Sequence, residues 1–153
     1  MEGLWKMERK NVDELPDLVR DVVDEVVIIS KKSVSKYYIY NVGAAIVDSE
    51  NGCFLGANWE PANGDSTCAE VGAISSYLLS ERKPISYVVC FGKSEERDPN
   101  GENFCTPCGR CRQRLKDFCS NDTVFISVNE TGKEVKIFNM EELLPNSFGA
   151  ENL

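Results

Sequence analysis

The sequence predicts an α/β fold: a three-layer α/β/α sandwich around a mixed five-stranded sheet. Three observations carry that expectation. One N-terminal stretch repeats apolar residues at helical spacing, and five short runs rich in β-branched and aromatic residues are bounded by turn-forming residues. Helical stretches are interspersed among those runs in the order α-β-β-α-β-α-β-β-α. The 153 residues suit one domain, expected over 13–153, preceded by an N-terminal extension over 1–12.

The first helix is expected over 13–33, where Leu15, Leu18, Val19, Val22, Val23, Val26 and Ile29 share a face. Pro16 is tolerated in the first turn, where an N–H has no intrahelical partner to lose. The many valines are stiff at χ1, so packing must support this helix. NVGAAIVD (41–48), the turn SENG and CFLGANW (53–59) read as a hairpin, and EPANGDS as a loop. TCAEVGAISSYLLSE (67–81) reads as a helix with Ser66 or Thr67 as N-cap. ISYVVCFG (85–92) is almost continuously apolar, as a central strand covered on both faces must be. KSEERDPNGEN is a solvated loop, and TPCGRCRQRLKDFC (106–119) a helix opened by Pro107. TVFISVN and KEVKIF are the last strands, turned by ETGK, before a short helix at MEELLP and the tail NSFGAENL.

Composition excludes several classes. Seventeen basic against 25 acidic residues give a net charge of −8, the wrong sign for a nucleic-acid or anionic-membrane partner. No apolar run is long enough to span a bilayer, and the polar start lacks a signal core, so a cytoplasmic location is expected. Seven cysteines, an odd number, read as thiols or ligands rather than a disulfide framework. The chain has no histidine, which removes Ser-His-Asp, Cys-His and HExxH chemistry.

Candidate chemistry gathers at two helix starts, with Cys68 at one and Cys108 and Cys111 at the other. Helix N-termini favour thiolate over thiol. If the two helices lie side by side, three sulfurs converge and leave a tetrahedral zinc one open position, the catalytic arrangement. Glu70 follows Cys68 by two and can face the same pocket as a proton carrier. Each piece alone has a plainer reading. The CxxC fits a redox pair as well as a metal half-site, Cys68 a small buried hydrophobe, and Glu70 a first-turn acid. Cys105, three before Cys108, is the near candidate for a fourth ligand in a closed structural site. The combination C-x-E with P-C-x-x-C is specific, and matches a deaminase signature with Cys in place of His.

With those residues in view, the chain resembles the cytidine deaminase family, in its small, three-cysteine, usually tetrameric branch. The likeness runs from Tyr38 to Gly149 and rests on NVGAAI (41–46), NWE (58–60), CAE (68–70), PCGRCRQ (107–113) and LLPNSFG (143–149). It implies one Zn²⁺ per subunit on Cys68, Cys108 and Cys111, with Glu70 as proton shuttle. The implied reaction is hydrolytic deamination of cytidine or deoxycytidine to the uridine and ammonia, a step of pyrimidine salvage. Asn58 and Glu60 fall on the family's Asn-x-Glu, which holds a ribose hydroxyl. The backbone of Ala69 and Thr106 is expected near the amino group and the leaving ammonia. Tyr40 stands where the family commonly has Phe, and Phe148 aligns with an aromatic that reaches a neighbouring subunit's site in a homotetramer.

Three departures accompany the likeness. Val71 stands where many relatives have an arginine that donates to the thiolates, and Arg110 is the candidate to offset the charge instead. The loop after Asn58 reads PANGDST in place of the usual Asn-Ala-Ser-Tyr continuation. Residues 1–12 have no counterpart. Blasticidin S deaminase shares PCGRCRQ and the missing arginine but not Asn-x-Glu, so a modified cytosine nucleoside such as blasticidin S is the alternative substrate.

Overall fold

The computed structural model describes residues 8–94, 96 and 100–153. Along the chain run β1 (Glu8–Asn11), α1 (Asp17–Ser30), β2 (Asn41–Asp48), β3 (Cys53–Ala57), α2 (Ala69–Leu78) and β4 (Ile85–Lys93). They are followed by α3 (Gly109–Lys116), β5 (Val124–Val128), β6 (Glu134–Phe138) and α4 (Met140–Leu143). The sheet order is β1-β6-β5-β4-β2-β3. Among these strands β4 and β5 pair parallel and the other pairs are antiparallel.

Alternation along the strands makes the layers. Ala44, Ile46, Val88, Cys90 and Phe125 face one core with Ala69, Ala73, Tyr77, Leu115, Met140 and Leu143 of the three later helices. Ala45, Val47, Val89, Phe91, Ile126 and Val128 face the other, against Val19, Val22, Val23 and Val26 of α1. β4 lies between β2 and β5, covered on both sides, which is why its sequence is nearly unbroken apolar.

The sheet has six strands rather than the expected five. The extra one, β1, lies inside the stretch read as an extension, of which residues 1–7 lie outside the described residues. ERKN carries no apolar alternation because it is an edge strand, and edges are commonly charged. It pairs with β6 from Glu8↔Ile137 to Asn11↔Glu134. Arg9 adds a two-pronged contact to Glu134, Nη2 to Oε2 at 2.6 Å and Nε to Oε1 at 3.1 Å.

Two helix starts also differ from expectation. The N-cap of α2 is Cys68, not Ser66 or Thr67, and that of α3 is Cys108. The hydroxyl residues precede the cap because Thr67 is still paired with Trp59 as extended chain, N–H to C=O in both directions.

The seat of α2 depends on glycine. A Cβ on Gly56 of β3 would lie 2.1 Å from the carbonyl oxygen of Ala69 and 2.5 Å from the amide nitrogen of Ala73. Gly72 faces it from the helix, its own Cβ position 3.2 Å from the Gly56 Cα. Backbone therefore meets backbone, and this contact sets the height at which Cys68 and Glu70 leave the sheet. Gly56→Ala must push the first turn of α2 outward. It is expected to cost about 1–3 kcal/mol, read as a fall in Tm of about 2–4 °C per kcal/mol at this size, together with weakened zinc retention.

Candidate active site and metal centre

The two cysteine caps meet. Cys68 and Cys108 both have the extended backbone of an N-cap, and their sulfurs lie 3.7 Å apart. Cys111, in the first turn of α3 and buried, completes a group whose sulfurs all lie within 4.8 Å of one another. A tetrahedral zinc with Zn–S bonds of about 2.3 Å holds its sulfurs about 3.8 Å apart, so the donor set fits one zinc ion. Among the described residues, no fourth His, Cys, Asp or Glu joins the group, which leaves one position open to solvent or substrate.

The three thiols do not ionise alike. Burial raises Cys111, with the Glu70 carboxylate adding to it, and burial likewise raises Cys68. Burial also acts on Cys108, but the backbone amide of Cys111, the Cys68 thiol and the amide of Arg110 outweigh it and bring Cys108 below its ordinary value. Loading a metal on the three thiols must therefore displace protons.

Beside the sulfurs opens a cavity of about 270 Å³. Glu70 lines it while only 4% exposed, and burial raises its pKa above the ordinary carboxylate value. The Cys90 thiol is 3.9 Å from its Oε1. Ala69 and Thr106 line the same space, at the two helix starts.

Asn58, Glu60 and Tyr40 also line the cavity. The Asn58 Oδ1 accepts from the Val42 N–H at 2.8 Å, and its Nδ2 donates to the Tyr40 carbonyl at 2.9 Å. Glu60 is buried and accepts from the Ser35 hydroxyl at 2.6 Å and from the Tyr37 and Tyr38 amides at 2.8 and 3.1 Å. Desolvation pushes its pKa up, but these three donors prevail and hold it below the ordinary value. A carboxylate offers about four lone-pair sites, so one remains. Asn58 likewise keeps one N–H and one lone pair. Tyr40 packs half-buried with its hydroxyl at the Cys105 thiol. Gly92 makes room for both, since a Cβ there would sit 2.5 Å from the Tyr40 oxygen and 2.9 Å from the Cys105 sulfur. Burial, then Glu70, pushes Cys105 up to about 12, so it stays a neutral thiol.

The model of the cytidine and deoxycytidylate deaminase zinc-binding region matches residues 19–127. The chain belongs to this family. It is 31% identical over 134 residues to the cytidine deaminase of Mycoplasma pneumoniae, covering 86% of this chain and 92% of that one. The cytidine deaminase of Mycoplasma genitalium is 28% identical over 128 residues, 83% of this chain and 92% of its own. Among solved structures, cytidine deaminase from Burkholderia pseudomallei superposes with a TM-score of 0.71 at 26% identity, over 84% of this chain and 97% of that one.

Within this deaminase-family chain, three site residues named from sequence lie outside the cavity lining: Cys111, buried among the sulfurs, Phe148 and Arg110. Phe148 is exposed, and its carbonyl accepts from the Gln113 side chain at 3.0 Å. Arg110 is exposed at the second position of α3, with its backbone amide directed to the Cys108 thiol. The arginine that ties the site together is Arg112, which sequence reasoning passed over. Its Nε donates to the Pro107 carbonyl at 2.7 Å, Nη1 to the Leu143 carbonyl at 2.9 Å and Nη2 to the Thr106 hydroxyl at 3.3 Å. Its place in PCGRCRQ was the available signal, but two of its three targets are backbone carbonyls, which no side-chain pattern reveals. Tyr38 and Val42 were also passed over as cavity residues, whereas Ser66 and Thr67 place the PANGDST loop at the cavity, as its position after Asn58 suggested.

Metal analysis separates an open from a closed site. Purified protein is expected to carry one zinc per chain, retained in Cys105→Ala and lost in Cys111→Ala. Zinc loss from Cys105→Ala would mean a four-ligand structural site.

Proposed function

We propose that this protein hydrolyses the exocyclic C4–N bond of a free cytosine nucleoside, cytidine or deoxycytidine, leaving the corresponding uridine and ammonia. The observation that carries this reading is the buried Glu70 carboxylate in the cavity onto which the three-thiol group opens. Cys68, Cys108 and Cys111 would hold a zinc ion, which would supply a nucleophilic water near neutral pH and an electrophilic centre. Glu70 takes a proton from the attacking water and delivers it to the ring nitrogen N3 as oxygen bonds to C4. It then carries the remaining hydroxyl proton to the amine, the C4–N bond breaks, ammonia leaves and the C4 carbonyl forms. The backbone of Ala69 and Thr106 holds the amino group and the departing ammonia, and Tyr40 packs against the base.

Asn58 and Glu60 bind a ribose hydroxyl with the capacity their internal bonds leave over. The described residues of the lining include Glu60 and Glu70 but neither lysine nor arginine, an environment that favours an uncharged sugar over a 5′-phosphate. Arg110 and the two helix N-termini offset the negative charge of three thiolates around Zn²⁺. Phe148 reaches the site of a neighbouring subunit in a homotetramer, and the enzyme serves pyrimidine salvage in the cytoplasm from a domain that takes in β1 as well as 13–153. Val71 and Arg110 favour a second reading, deamination of a modified cytosine nucleoside such as blasticidin S.

Loss of the cytosine ultraviolet band distinguishes these substrates when cytidine, deoxycytidine, deoxycytidylate and blasticidin S are run side by side. Turnover of the plain nucleosides is expected, with deoxycytidylate slower by about tenfold or more, the cost of a phosphate beside uncompensated carboxylates. No turnover of either nucleoside overturns the reading. Glu70→Gln should keep its zinc and lose about 10²–10⁴-fold in kcat. Loss of the metal in that variant would make Glu70 a ligand instead.

A further inference from the structure

The cavity's aromatic wall is an arch, residues 34–40, that joins α1 to β2 and is gripped by Asn58 and Glu60. Val34 donates its N–H to the Asn58 carbonyl at 3.1 Å and accepts from the Glu60 N–H at 2.8 Å. The Asn58 side chain holds the far end, at Tyr40 and Val42, and the Glu60 carboxylate holds the middle, at the amides of Tyr37 and Tyr38. The arch is strained: Ile39 has φ of 52°, a left-handed backbone that a β-branched residue adopts at a cost. Its neighbours on either side, Tyr38 and Tyr40, both line the cavity.

One side chain joins the grip to the aromatic. The Ser35 hydroxyl donates to Glu60 Oε1 at 2.6 Å and accepts the Tyr40 N–H at 2.9 Å. We infer that Ser35 is a positioning residue that sets the Glu60 carboxylate and the Tyr40 ring as one unit, so that sugar and base are bound together. The inference rests on the reading of Glu60 and Tyr40 as substrate contacts. Alanine at 35 removes a donor from Glu60 and the acceptor of the Tyr40 amide in one step. The Ile39 turn then loses its nearest restraint, and the Tyr40 ring is no longer registered to the carboxylate. A serine serving only to fill a turn would leave substrate affinity untouched.

The test uses the zinc-loaded full chain with Ser35→Ala, Ser35→Cys and Ser35→Thr. Ser35→Ala is expected to raise KM for cytidine about tenfold, the scale of one hydrogen bond to a charged group. kcat should stay within about twofold, as for an interaction equal in ground and transition states, with zinc content unchanged. Ser35→Thr keeps the hydroxyl and restores KM, and Ser35→Cys, similar in size but a weaker donor, falls between. Cleavage by trypsin after the exposed Lys36, followed by mass spectrometry without substrate, should quicken in Ser35→Ala and return to the original rate in Ser35→Thr. Unchanged KM and unchanged Lys36 cleavage overturn the inference, as does a fall in kcat that tracks zinc loss. Failure of the unmodified protein to turn over cytidine defeats the functional reading instead, and the Lys36 cleavage then judges the arch on its own.

Discussion

The structure turns on two helix N-termini brought to one point. α2 and α3 each begin at a cysteine cap, and the sulfurs of the caps lie 3.7 Å apart. A helix start carries roughly half a positive charge, so two of them aimed together repel unless negative charge lies between. Three thiolates around a divalent cation leave about one negative charge, close to what two helix ends balance. This balance relieves the demand that an arginine after Glu70 would otherwise meet, and it gives Val71 a rationale. The fold serves this meeting point: glycine lets α2 settle on β3, and the Arg112 guanidinium ties the turn before α3 to α4.

The polar groups proposed to recognise the sugar also hold the architecture. Asn58 and Glu60 are each mostly consumed in holding backbone, and what is left of each is one or two directions. A site built this way is ordered before a ligand arrives, so binding need not order it. It also has little tolerance, because a ligand group that fails to match the remaining directions leaves a buried polar atom unpaired.

Much of this was legible in the chain itself. The β4 run announced a central strand, the valine spacing of α1 a helix on one face, and C-x-E with P-C-x-x-C the thiol group and its neighbouring acid. What escaped reading depends on contacts remote in sequence. β1 is a strand only because β6 offers it a partner. The caps are cysteines because pairing with Trp59 keeps Thr67 extended, and nothing in TCAE reveals that pairing. The second role of Glu60 needs a serine and two amides some 22 to 25 residues earlier, joined only once the arch has closed.

The charged border strand has a bearing on how such a molecule survives at high concentration. Seven free cysteines and a sheet that does not close on itself are both invitations to self-association. With Glu8, Arg9 and Lys10 on four residues of edge, β1 presents charged side chains and a short ladder to any approaching strand. Fibril-like growth along that border therefore finds a poor template.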